Sequence, residues 1–181
     1  MKAGRNTSDG LPTGLQEQAK AITAVHAELG VLLFSLSAGL PQGPVAERLA
    51  EQFAELELSS RVVSAGPARV GAVLDGKFTG IHVLVVLGDS GSDTEDQLMD
   101  LVHWLLANGR QQLAENLIFA QTGKQKASGS TAPAFARVML EQNFVSATRK
   151  SGLRFPWAAS SDKSWALAGA VLDYATGLAA E

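Results

Sequence analysis

The sequence predicts an α/β domain built on a five-stranded parallel sheet with helices on both faces, preceded by an N-terminal helix. Three observations predict it. Apolar runs of β character alternate with segments of helical periodicity along most of the chain. Residues 81–87 (IHVLVVL) form a nearly unbroken β-branched run, which a strand buried on both faces of a parallel sheet requires. Residues 31–53 (VLLFSLSAGLPQGPVAERLAEQF) pass from an apolar run through a small-residue loop straight into an amphipathic helix.

Composition narrows the function classes. With 181 residues, 46% of them hydrophobic, the chain supports one well-buried core and one domain. A formal net charge of −3 supplies no broad positive field, so no nucleic-acid partner is expected. The absence of cysteine excludes disulfides, thiolate metal sites and a cysteine nucleophile, so redox chemistry would have to come from a cofactor. The first 14 residues carry neither an apolar signal core nor an arginine-rich amphipathic stretch, and no apolar run approaches bilayer length. The expectation is a soluble, intracellular protein without membrane insertion.

The elements follow in order. Residues 1–13 are polar and rich in Gly, Ser, Thr and Pro, and read as a flexible tail before a domain over 14–181. Leu15, Ile22, Val25 and Leu29 predict a leading helix closed by Gly30 as its C′ residue. Residues 31–34 form the first strand, and Val45, Leu49, Phe53 and Leu56 mark one face of the next helix. Residues 61–64 (RVVS) give a second strand, and 69–74 a short helix or irregular connection. Residues 81–87 form the central strand, which the turn GDSGS at 88–92 ends. Ser92 and Glu95 have the spacing of a capping box, and Leu98, Leu101, Val102, Leu105 and Leu106 stripe a helix that ends near Asn108 and Gly109. Residues 116–120 (NLIFA) are the fourth strand, followed by a long polar loop over 121–130. Pro133, Phe135, Val138 and Met139 predict a helix, 144–147 a last strand, and Trp165, Leu167, Val171, Leu172, Tyr174 and Leu178 a closing helix.

In such sheets a ligand sits beyond the carboxyl ends of the strands, where strand order reverses. The candidate loops are therefore 35–43, 88–92 and 121–130. In the first, Ser35, Ser37, Gly39 and Gly43 suit an anion held by backbone N–H groups and a helix N-terminus; as ordinary residues they make a tight βα turn. In the second, Gly88, Asp89, Ser90, Gly91 and Ser92 either line a ligand or turn the chain and cap a helix. In the third, Lys124 and Lys126 either meet an anion or stand as solvated loop lysines. Asp93, Glu95 and Asp96 suit a helix start. His26, His82 and His103 are far apart in sequence and read as surface or satisfied core residues, so no metal site is expected. Neither Ser37 nor Ser90 lies in a G-x-S-x-G elbow, and no catalytic residue is assigned.

The element order and loop sequences resemble the flavodoxin-like family, closest to the FMN domain of diflavin reductases. Residues 35–53 (SLSAGLPQGPVAERLAEQF) resemble the family's phosphate loop and first helix, including AERLAE at 46–51. Residues 87–105 (LGDSGSDTEDQLMDLVHWL) are similar to its strand, flavin-contacting loop and following helix, with Gly91, Asp93, Asp96 and Trp104 in the diflavin pattern. Residues 117–130 (LIFAQTGKQKASGS), with VMLEQ after them, match the second flavin loop. The resemblance implies an electron-transfer domain that binds FMN. It places Ser35, Ser37, Ala38, Gly39 and Gly43 around the phosphate, and Gly88, Asp89, Ser90, Gly91, Ser92, Thr122, Gly123 and Lys124 near the ring system. It also implies a redox partner docking on an acidic face.

Two departures motivate a second reading. The family's S-x-T-G-x-T loop has lost two hydroxyls here, with Pro41 and Pro44 contributing no N–H, and the second and third loops contain no aromatic residue. A cofactor-free module with a structural or scaffold partner is the alternative. A third reading, an NADPH-dependent flavin reductase, follows from the likeness of residues 97–105 (QLMDLVHWL) to the NADPH-dependent FMN reductase family, whose Ser/Arg phosphate loop and Pro-Glu-Tyr-type loop are absent here.

Overall fold

A computed structural model describes residues 11–36, 40, 42–65, 80–89, 92–122, 136–140 and 165–179. Within them the chain runs α1 (Thr13–Val25), β1 (Leu29–Ser35), α2 (Gln42–Glu55), β2 (Ser60–Ala65), β3 (Val83–Gly88), α3 (Ser92–Ala107), α4 (Gln111–Glu115), β4 (Leu117–Thr122), β5 (Ala136–Leu140) and α5 (Ala166–Ala179). The five strands make one all-parallel sheet in the order β2-β1-β3-β4-β5. That is the flavodoxin-like order, with the N-terminal helix added.

Alternation along the strands divides the core into two layers. Val31, Leu33, Val83, Val85, Ile118 and Ala120 point to one face, where they meet Ile22 of α1, Leu49 and Phe53 of α2, and Val171 and Leu172 of α5. Leu32, Phe34, Leu84, Val86, Leu117 and Phe119 point to the other, against Leu98 and Leu105 of α3 and Leu113 of α4. β1 and β3 are buried along their whole length, which is why their sequences are continuously apolar rather than alternating. Each fully buried Leu or Phe contributes about 1.5–3 kcal/mol of transfer free energy, so these strands carry much of the stability. Outside this sandwich α1 lies on α5, where the Gln18 amide donates to the Asp173 carboxylate and Leu15 reaches within 3.6 Å of the Gly169 Cβ position.

Several elements differ from expectation. The leading helix begins at Thr13 and stops at Val25, whose side chain is 56% exposed; Leu29 and Gly30, expected at its end, belong to β1. A Cβ on Gly30 would stand 1.7 Å from the Gly80 carbonyl oxygen, so this glycine admits a crossing backbone rather than closing a helix. α3 opens at Ser92, as expected, and Glu95 pairs with Arg137 at 3.1 Å. α3 ends as expected, with Gly109 at φ +68°, and an unanticipated single turn, α4, follows.

The largest correction concerns residues 136–140, which form β5 rather than the predicted helix. Phe135, Val138 and Met139 have helical spacing, but burial within 137–140 alternates, with Val138 and Leu140 inside. Five residues are too few for periodicity to separate the two. The tail at 1–10, the segment at 69–74 and the strand expected at 144–147 lie outside the described residues.

Candidate functional site

The chain leaves β1 toward β2, then returns across β1 to β3, so order reverses between β1 and β3. The helix after β1 packs on one face and the helix after β3 on the other. In folds of this kind a ligand binds at that divergence, beyond the carboxyl ends of the strands. Three of the predicted site residues meet there. Ser35 pairs in register with Leu87, the Leu36 N–H donates to the Leu87 carbonyl at 2.9 Å, and Gly88 pairs with Gln121. Thr122 closes the row by donating its hydroxyl to the Gly88 carbonyl at 3.3 Å. Ser35 is 2% exposed, so its hydroxyl lies inside the rim rather than on it.

The two flanking helices present different electrostatics. α2 has no acidic residue in its first turn, and the Gln42 N–H donates to the Leu40 carbonyl at 2.9 Å as the helix begins. Gly43 sits in that first turn with nothing within 4 Å of its Cβ position. α3 carries Asp93 and Glu95 in its first turn, and the Asp89 carboxylate stands beside them, accepting the Thr94 hydroxyl at 2.6 Å. An anion is therefore favoured at α2, whose dipole is unopposed, and disfavoured at α3, whose own carboxylates already use it. The Arg137 guanidinium offsets part of this charge, pairing with Glu95 while lying 5.6 Å from the Phe119 ring centroid.

Gly88 is at the rim for a reason the sequence does not reveal. A Cβ there would fall 2.4 Å from Phe119 Cε2 and 2.6 Å from Thr94 Cγ2, so the glycine lets β4 and α3 close over the end of β3. Ser92 opens α3. Ser37, Ala38, Gly39, Ser90, Gly91, Gly123 and Lys124 lie outside the described residues, as do the aromatic-free tips of the second and third loops.

A second polar cluster, which sequence reasoning missed, lies at the amino end of the sheet. His26 precedes β1 and His82 precedes β3, and because those strands are neighbours the two rings approach to 4.4 Å between centroids. The Gly30 N–H donates to His82 Nδ1 at 2.9 Å while the His82 N–H donates to the Gly30 carbonyl at 2.8 Å. The first of these bonds needs a lone pair on Nδ1, which assigns the proton of the neutral ring to Nε2. Burial pushes the His82 imidazole below its ordinary pKa, and the nearby His26 and Arg61 act in the same direction. Among the described residues, no group of three or more His, Asp or Glu is placed to hold a metal ion. No described helix is long and apolar enough to cross a membrane. Neither a scan against protein-family models nor a search of curated proteins returns a match.

Proposed function

We propose that this protein is a flavodoxin-type electron-transfer domain that binds FMN at the carboxyl end of the β1/β3 switch point. The observation that carries the reading is the strand order 2-1-3-4-5 together with the neighbouring positions of Ser35, Gly88 and Thr122 on one rim. The chain suits the phosphate end of the ligand best: α2 offers an N-terminus without competing carboxylates, and Gly43 leaves space above it. Ser37, Ala38, Gly39 and Gly43 would hold the phosphate, with Ser35 buried behind them, and the loops after β3 and β4 would meet the ring system. FMN, when bound, supplies the redox chemistry; the protein binds and orients it. Asp93 and Asp96, both exposed on α3, would then present the acidic face to a redox partner.

Titration with FMN tests the reading through flavin fluorescence quenching and thermal unfolding. A ligand that binds only the native state stabilises it by about 2.7 kcal/mol at a hundredfold excess over Kd. Gly43→Asp supplies the control: its carboxylate enters open space in the first turn of α2. It is expected to leave the melting temperature of the free protein unchanged or higher while weakening FMN binding by at least about tenfold. Absence of quenching and of a melting shift at saturating FMN would overturn the reading.

The aromatic-free flavin loops favour a second reading, a flavodoxin-like module without cofactor that serves a scaffold or other partner. It takes over if FMN leaves unfolding untouched. Rapid NADPH oxidation with free flavin would instead indicate a flavin reductase.

A further inference from the structure

The cavity at the amino end of the sheet, remote from the proposed flavin rim, has a composition that specifies its ligand. Its volume is about 410 Å³, within the range of small-molecule sites. Ile81 and Leu113 supply the apolar part of its wall. Its polar lining comes from His26, His82, Arg110, Gln111, Gln112 and Asn116, and no carboxylate lines it among the described residues. We propose that this cavity binds a small oxyanion, a carboxylate or phosphate group carried on a body of modest size, with Arg110 as its fixed positive charge and the His82 Nε2–H as its imidazole donor.

Three further features support the assignment. His26 lines the cavity with its ring centroid 4.4 Å from that of His82, so the two imidazoles form one polar wall. On His82 the Gly30 N–H already occupies Nδ1, so Nε2 is the ring's remaining polar atom and carries the proton. Two nearby carboxylates are paired at its edge: Glu28 with Arg61 at 3.6 Å, and Glu115 with the amide of the lining residue Gln111 at 2.7 Å. His82 thus feels His26 and Arg61 as like charges, and the His82 imidazole is held below its usual pKa by burial and by both of them. An oxyanion entering the cavity reverses that balance. It stabilises the His82 imidazolium, so its binding takes up protons and strengthens as pH falls through the histidine range.

The test uses inorganic phosphate and malonate as separate probes, followed by calorimetry and by the imidazole Cε1–H signals in NMR. One or both probes should saturate below roughly 10 mM near pH 6 and shift the signals of His26 and His82. Affinity should fall at least about fivefold between roughly pH 6 and pH 8. Phosphate alone saturating identifies a phosphorylated ligand; malonate alone identifies a carboxylate. Arg110→Gln, at an exposed position, should weaken binding at least about tenfold and keep the pH dependence. His82→Asn, which keeps an acceptor for the Gly30 N–H, should flatten that dependence. Gly43→Asp, which is aimed at the opposite rim, should change neither, so this site and the FMN reading succeed or fail separately. Absence of saturable binding of either probe, or binding indifferent to both Arg110→Gln and His82→Asn, overturns the proposal.

Discussion

At the amino end of the sheet, the Gly80 carbonyl lies where a Cβ of Gly30 would stand, 1.7 Å away, and the next nearest atoms are also backbone. At the carboxyl rim, the atoms crowding the Cβ position of Gly88 belong to side chains, the Phe119 ring and the Thr94 methyl group. Both glycines sit in strands and both admit a close neighbour, yet one contact is main chain on main chain and the other is main chain on movable groups. The amino end is further tied by the reciprocal bonds between Gly30 and His82, whereas at the rim the Leu36–Leu87 backbone bond is joined by side-chain bonds from Thr94 and Thr122. The difference separates a pinned end from an adjustable one, and the adjustable end is where the proposed FMN would have to be accommodated.

Substitution at Gly30 gives the largest expected effect. Gly30→Ala cannot be relieved by a rotamer change, because the obstructing oxygen belongs to the chain entering β3. Separating β1 from that crossing would also break the two Gly30–His82 bonds. A loss above about 4 kcal/mol, or failure to accumulate folded protein, is expected in urea denaturation. A loss below about 1 kcal/mol, within ordinary mutational scatter, would mean that this end is not pinned.

Gly88→Ala should be milder, since overpacking of side chains against one another costs about 1–3 kcal/mol. The comparison sharpens with a second change. Phe119→Leu removes the ring atoms that stand 2.4 and 2.7 Å from the new methyl group. The double variant Gly88→Ala/Phe119→Leu should therefore lose less than the sum of the single variants, as residues sharing one contact do. Strict additivity would show that the ring is not what excludes a side chain at Gly88.

This asymmetry also separates what the sequence discloses from what it hides. The apolar runs of β1 and β3 were legible because central parallel strands bury both faces. β5 was not, since a short segment ending in Val138, Met139 and Leu140 satisfies helical and strand spacing alike until β4 is in place beside it. Gly30 was mistaken for a helix terminator because nothing local marks the arrival of Gly80. The His26–His82 approach was equally hidden. Each histidine precedes a strand, but only the pairing of β1 with β3 brings residues so distant in sequence together. Position along a strand is local information; which strand lies beside it is not.

The smallest effect is a pH dependence confined to the amino end. The His82 pKa in the folded protein lies below its unfolded value of about 6.5, chiefly through burial, with His26 and Arg61 adding to the shift. Between the folded and unfolded values the unfolded chain binds more protons, so stability rises with pH in that window. Stability contributed by neutral His82 is thus fully present above about pH 6.5 and is lost as pH falls through the folded value. His82 is only half-buried, and water screens much of the effect. His82→Asn places a non-titrating acceptor near Nδ1, so the Gly30 N–H keeps a partner while the proton linkage disappears. Melting temperatures recorded across the acid range should fall more steeply for the wild-type protein than for His82→Asn, and the two curves should run parallel above neutrality. Parallel curves throughout would show that the ring takes up its proton as readily folded as unfolded, and that the pinned end is held by its backbone contacts alone.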